Sequence, residues 1–271
     1  MKVSVWQLYL FNARLGIAPF LGGVPYPRFV EYPLAIQMAR SLDDCRILDI
    51  GSGRRGRFPL FLLSLVKGAE IHSTDIVDYS DEQYRRARKL GYGEAIGTGF
   101  VVQQQDATQL TYDSGYFDRV FAISTLEHIP GDGDSEAMSE IARVLSPDGL
   151  AIIAVPFRAL GYDEEFRRVD VSFHRHPEGV FYERRYDLAA IRKRLLSAAR
   201  LRAMSICFYG EAGLPFWSGF YKKILPKPMY LQWMTLPFRV AMPLLSAQFL
   251  SVLRIREIRS AMGIVFAVQR R

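Results

Sequence analysis

The hydrophobic and polar positions of this chain alternate between two periods. "RILDI" is a short apolar run that ends in glycines, and "FPLFLLSLVKG" after it reads as a helix closed by Gly68. "AEIHSTD" predicts a second strand. "SDEQYRRARKLG" predicts a second helix, opened by a Ser or Asp cap and closed by Gly91. "FVVQQQD" and "FDRVFAIS" predict a third and fourth strand. "SEAMSEIARVL" predicts a helix with apolar positions 137, 138, 141, 142, 144 and 145, and "GLAIIAVP" a fifth strand. Strands that alternate with helices at this spacing imply βαβ units, a parallel sheet and right-handed crossovers. Such sheets bind ligands beyond the carboxyl ends of their strands, so function is expected in the loops that follow them.

After the fifth strand the pattern changes. Residues 155–187 read as a long polar and aromatic connection. "DLAAIRKRLLSAA" predicts a helix, "LRAMSICFYG" a strand and "MGIVFAVQRR" a last strand. Between those two strands lies an apolar stretch broken by prolines 215, 226, 228, 237 and 243. Its uninterrupted apolar piece after Pro243 is too short for a membrane-spanning helix. Within it "LLSAQFLSVLRIREIRS" reads as amphipathic, with Arg254, Arg256 and Arg259 near its end. At the other end of the chain, "MKVSVWQLYLFNARLGIAPF" is interrupted by Asn12 and Arg14 and reads as an N-terminal helix, not a signal peptide.

Composition narrows the picture little. The 271 residues are 49% apolar, enough for a sizeable core in one large α/β domain with additions. A formal charge of +7, mostly from arginine, reads as ordinary surface charge before it reads as a nucleic-acid or anionic-membrane footprint. Cys45 and Cys207 each adjoin apolar runs and read as buried thiols in a reduced compartment, with no metal-ligand spacing around them.

The strand ends hold the candidate chemistry. Gly51, Gly53 and Gly56 spell G-x-G-x-x-G, a pattern shared by dinucleotide sites. Asp49 and Gly51 close the first strand, Asp75 the second and Asp106 the third. A nicotinamide site has no standing need for an acid after the third strand. An adenine does, because its exocyclic amine donates to a carboxylate and its N1 accepts from the next backbone N–H, here that of Ala107.

In this order "ILDIGSG", Asp75, "QDA", "FDRVFAISTLEHI" and "RVLSPDGLAII" resemble the class I S-adenosylmethionine-dependent methyltransferases. The resemblance is close over residues 45–157 and looser over the last two strands. It implies a Rossmann-like, mostly parallel α/β sheet of seven strands with helices on both faces, the last strand antiparallel beside the fifth. It implies S-adenosyl-L-methionine as cofactor. By position, Gly51 and Gly53 would let backbone approach the methionine part, and Asp49 would hold that loop or reach the amine through water. Asp75 would take the ribose diol, with Ile76 against adenine. Asp106 and Ala107 would read the adenine edge, and Ser124 and Leu126 would line the methyl-donor side. One departure stands out: Arg54 and Arg55 precede Gly56, where the family commonly has G-x-G-x-G. Taken singly, the glycines fit a plain strand-to-helix turn and each aspartate a cap or turn role.

The same resemblance divides the chain into an N-terminal helical cap segment (1–44), a donor-binding domain (45–210 and 261–271) and a hydrophobic helical insertion (211–260) on the acceptor side. That insertion fits a packing cap, an apolar acceptor pocket, or an interfacial helix helped by Lys222, Lys223 and Lys227, in that order.

Methyl transfer from a sulfonium is an in-line displacement in which the protein mainly positions the reactants. A hydroxyl acceptor also needs a base, and histidine titrates in the right range. His128, after the fourth strand, is the first candidate, with Glu127 as its orienting partner; the alternative is that "EHI" stabilises a turn. His72 reads as core. His174 and His176 have no evident third ligand, so no metal is expected. The expected function is methyl transfer to a small-molecule or lipid-like acceptor, at oxygen, by a cytoplasmic enzyme with peripheral membrane contact as a further partner reading. The alternative is a methyltransferase-like, non-catalytic binding protein held to a membrane or partner. Nucleic-acid methylation is weaker, since "STLEHIP" stands where amino-methylating DNA enzymes place Asn-Pro-Pro-aromatic.

Overall fold

The structure is a computed structural model and describes residues 2–16, 24–169, 175–211, 213, 216 and 236–271. Five strands form the parallel part of its sheet: β1 (Arg46–Ile50), β2 (Glu70–Asp75), β3 (Phe100–Gln104), β4 (Phe117–Ile123) and β5 (Leu145–Pro156). β6 (Asp163–Val169) and β7 (Arg175–Arg185) form a separate antiparallel hairpin. β8 (Leu201–Glu211), β9 (Leu250–Val252) and β10 (Ala261–Arg270) complete the main sheet. Its order is β3-β2-β1-β4-β5-β10-β8-β9, with β10 antiparallel to both β5 and β8.

The order reverses between β1 and β4, because the chain runs outward to β3 and then returns to the other side of β1. The carboxyl ends of β1 and β4 therefore flank a crevice, the position at which open α/β sheets bind ligands. The helices are α1 (Val5–Arg14), α2 (Arg28–Met38), α3 (Arg57–Leu63), α4 (Ser80–Lys89), α5 (Gly133–Val144), α6 (Leu188–Ala190, continued by a π turn over Ile191–Ser197) and α7 (Leu236–Phe249). One core cluster lies on each face of the sheet. α1, α2 and α3 pack over one through Phe11, Tyr32, Phe58 and Phe61, against Phe121 of β4; α5 packs over the other through Met138, Ile141 and Val144.

The N-terminal helix expected from sequence is there, and its start has a local cause. Ser4 and Gln7 form a capping box, with Gln7 N–H donating to Ser4 Oγ at 3.2 Å and Ser4 N–H to Gln7 Oε1 at 2.8 Å.

Three expectations are corrected. The main sheet has eight strands, not seven, because β9 adds to the edge of β8 with Glu211 opposite Leu250 and Tyr209 opposite Val252. Those residues read as the middle of an amphipathic helix, but α7 stops at Phe249. The unpaired backbone of β8 takes the next three residues as a strand, a tertiary choice that local periodicity does not register. The connection after β5 holds the β6–β7 hairpin, whose cross-strand charges (Arg185 against Glu165, and against Asp163 at 3.6 Å) hid its alternation. Cys45 and Cys207 are half-buried free thiols rather than core residues.

Candidate active site

A cleft of about 680 Å³ opens at the carboxyl ends of β1 to β4. Its size falls in the range of small-molecule sites, about 300–1,000 Å³. Gly51 forms its floor with φ +73°, and a Cβ there would stand 2.3 Å from the Thr125 side chain. Both facts demand glycine: the left-handed backbone and the absent side chain let β1 turn sharply against the end of β4. The turn is held from β2, since Gly51 and Ser52 N–H both donate to the Thr74 carbonyl, at 2.8 and 3.0 Å.

Eight of the residues singled out in the sequence line this cleft: Gly51, Gly53, Asp75 and Ile76 on one side, Asp106, Ala107, Ser124 and His128 on the other. Asp75 ends β2, and its Oδ2 accepts from Gly53 N–H at 2.9 Å while Oδ1 accepts from Val77 N–H at 3.2 Å. The carboxylate thus braces the glycine loop with lone pairs to spare for a ligand. Ile76 is 60% exposed at the lip, an apolar surface available to cover a flat ring. Asp106 Oδ1 accepts from Thr108 N–H at 2.8 Å and from its hydroxyl at 2.7 Å, an Asx turn that orients the carboxylate. A glycine cradle, two carboxylates on successive strand ends and an exposed apolar lip fit an adenosine with an amino-acid tail.

Three other candidates lie off the cleft wall. Leu126 is fully buried in the core beneath. Asp49 is buried in β1, where burial, then the charge of Asp75, push its carboxyl well above the usual range. Glu127 is 1% exposed, and burial pushes it up to about 8. Asp49 Oδ2 and Glu127 Oε2 have no hydrogen-bond partner among the described residues.

The pairing expected for His128 is also different. Its Nδ1 lies 2.7 Å from the Tyr182 carbonyl of β7, whereas Nε2 is 4.0 Å from Glu127 Oε1, beyond hydrogen-bond reach. A carbonyl only accepts, so Nδ1 holds the proton and Nε2 is the bare nitrogen of the neutral ring. His72 packs against Tyr112 and Phe117 in the sheet, with Nε2 2.8 Å from Glu70. His174 and the His176 side chain lie outside what the structure describes.

Two groups were missed in the sequence. In the first, Arg28 of α2 pairs with Glu31 and donates to Ser124 Oγ at 2.5 Å, and Tyr209 of β8 donates to Glu31. Ser124, just after β4, meets Arg28 with φ 50°, an uncommon conformation for a residue with a Cβ. In the second, Arg184 of β7 donates to the carbonyls of Ile129 and Gly131. Arg194 donates to Gly131 O at 2.7 Å and to Asp134 at 2.7 and 2.9 Å, and Tyr186 donates to Asp134 at 2.9 Å. This grip fixes the turn from His128 to Gly133, which closes the cleft. The arginines sit in segments without a motif, and no sequence signal marks them.

Residues 48–153 match the family model described as "Methyltransferase domain". This stretch belongs to the class I S-adenosylmethionine-dependent methyltransferases. The family and fold imply S-adenosylmethionine as the cofactor. Over 109 residues the methyltransferase domain is 34% identical to Methyltransferase GfsG of Streptomyces halstedii, covering 40% of this chain and 37% of that protein. Over 104 residues it is 30% identical to the 27-O-demethylrifamycin SV methyltransferase of Amycolatopsis mediterranei, covering 38% of this chain and 36% of that protein. The match thus spans little more than a third of either relative.

Among solved structures, the [4+2]-cyclase SpnF has TM-score 0.54 at 16% identity, over 88% of this chain and 80% of that one. A S-adenosylmethionine-dependent methyltransferase from Methanosarcina mazei has TM-score 0.54 at 17% identity, over 87% of this chain and 96% of that one. At these identities the likeness is one of fold. It extends well beyond residues 48–153, over 87–88% of this chain.

Proposed function

We propose that this protein transfers a methyl group from S-adenosylmethionine to an oxygen of a small-molecule or lipid-like acceptor. The observation that carries the reading is the fixed tautomer of His128 at the edge of a cleft with the cradle of the methyltransferase fold. The bound cofactor supplies a methyl activated by its own sulfonium, so the chain's tasks are to bind, orient and take a proton. Gly51, Gly53 and Asp75 hold the amino-acid and ribose parts. Ile76, Asp106 and Ala107 take the adenine. The Ser124–His128 edge faces the acceptor, whose hydroxyl proton passes to Nε2 as the new O–CH3 bond forms and the S–CH3 bond breaks. Asp49 acts behind the glycine loop and Glu127 behind His128; neither touches the acceptor. One relative, the 27-O-demethylrifamycin SV methyltransferase, supports a small-molecule oxygen.

In this reading residues 1–44 and 211–260 serve the acceptor side. The buried Arg28–Glu31–Tyr209 group, together with Tyr26 donating to Glu211 at 2.7 Å, ties the N-terminal segment to the end of β8. The test is incubation of the purified protein with methyl-labelled S-adenosylmethionine and small-molecule extracts. Label in a product that is stable to base as a methyl ether supports the reading. Binding of the donor with no transfer to any fraction favours a second reading, a site used without methylation; the cyclase that shares this fold gives that reading its weight.

A further inference from the structure

α1 and α7 meet along an apolar groove of about 540 Å³ that shares no lining residue with the cleft. Trp6 and Tyr9 of α1 form one wall, and Val240, Ala241 and Leu244 of α7 the other. Most of this surface faces solvent: Trp6 is 49% exposed, Leu10 60% and Leu244 59%. Leu10 stands four residues from Trp6, on the same side of α1. Leu8 and Phe11 turn inward to the core, so α1 presents apolar side chains on both sides. Soluble surfaces seldom gather large apolar side chains this way without a partner.

The charge pattern says which partner. The chain has 28 Asp and Glu, yet none lies before Glu31 and none between Ala212 and Arg256. Those two stretches supply α1 and α7, and they hold nine Lys and Arg and all three tryptophans, Trp6, Trp217 and Trp233. Arg28 is spent on Glu31; Lys2 precedes α1 and Arg14 ends it, and both are exposed. Apolar side chains, tryptophan and cations without acids are the composition of segments that lie in a lipid interface. A protein partner or a second copy has no need to exclude acids so completely, whereas an anionic bilayer does. No helix among the described residues is long and apolar enough to cross a membrane.

We propose that the α1–α7 face docks on the surface of an anionic bilayer. Trp6, Leu10, Val240 and Leu244 enter the headgroup boundary, and the exposed Lys2 and Arg14 at the two ends of α1 meet the lipid phosphates. Docking is independent of the methyl-transfer reading, because none of these residues lines the donor cleft.

The experiment uses the full chain with phosphatidylcholine vesicles, either pure or containing about a third phosphatidylglycerol. Trp6 stands on this face, so the part of the intrinsic emission that Trp6→Phe removes reports on it. The protein is expected to sediment with the anionic vesicles at least about tenfold more tightly than with the neutral ones. Its emission shifts to the blue on binding, and about 0.5 M salt releases it. The pair Leu10→Glu and Leu244→Glu, checked for folding by its thermal melt, loses vesicle binding. Three results overturn the proposal: no sedimentation with anionic vesicles, equal binding by the folded double variant, or a dimer in solution that the double variant converts to monomer while vesicles bind neither form. The last result assigns the face to a second copy of this chain.

Discussion

His128 donates its Nδ1 proton to the Tyr182 carbonyl at 2.7 Å, so a hairpin outside the matched methyltransferase stretch sets the tautomer of a residue at the cleft. If Nε2 is the base for a hydroxyl acceptor, His128→Ala lowers turnover by about 10²–10⁴-fold. Donor affinity stays within about threefold, or 0.7 kcal/mol. Rate profiles from pH 6 to 9 check this; an unchanged rate across that range removes His128 from the chemistry.

Glu127 gives a stability prediction with a definite sign. Its folded-state pKa, pushed up mainly by burial, is about 8 against an ordinary value of 4.5. The folded state therefore binds this proton more tightly than the unfolded state. Below pH 4.5 both states hold it and nothing is lost. Between there and pH 8 the group destabilises the fold by up to about 1.4 kcal/mol per pH unit. Glu127→Gln removes that dependence, so its melting temperature should exceed the parent's at pH 8 and approach it at pH 5. A gap that is constant with pH contradicts the assignment.

Asp106 is held by Thr108 in an orientation suited to an amine donor. Asp106→Ala should weaken binding of S-adenosylhomocysteine by about 1–3 kcal/mol, the loss of one buried hydrogen bond. Titration calorimetry reads it. Loss of affinity for the homocysteine portion alone, tested with adenosine as a competitor, would place the residue elsewhere on the ligand.

Arg184 is 1% exposed and satisfies two carbonyls of the turn that closes the cleft. Arg184→Met leaves the Ile129 carbonyl unpaired and the Gly131 carbonyl with Arg194 alone, and should destabilise the fold by about 1–3 kcal/mol, with weaker donor binding. Arg184→Lys recovers only part of the loss, because an ammonium lacks the planar fork that reaches both oxygens. Full recovery in the lysine variant, seen by thermal melt, would show that charge alone suffices.

These predictions also mark how far the sequence could be read. The parallel core was legible because "RILDI", "FDRVFAIS" and "GLAIIAVP" are short apolar runs at regular spacing, and because glycine and aspartate at strand ends have local causes. What was not legible depends on distant partners. Leu250–Val252 became a strand because the edge of β8 was free. Arg184 and Arg194 converge on the Gly131 carbonyl from 53 and 63 residues away, respectively. Glu127 read as a partner of His128 because it is adjacent in sequence, but the turn over Leu126–His128 sends it inward, and a backbone carbonyl takes its place.

The central claim is that the glycine loop, Asp75 and Asp106 form a site for S-adenosylmethionine. Titration calorimetry of the purified protein with S-adenosylmethionine, S-adenosylhomocysteine and NAD tests it most directly. The account predicts one site per chain for each sulfur nucleoside, with Kd at least about tenfold below that for NAD, or 1.4 kcal/mol. Tighter binding of NAD, or no binding of either sulfur nucleoside by folded protein, would contradict it.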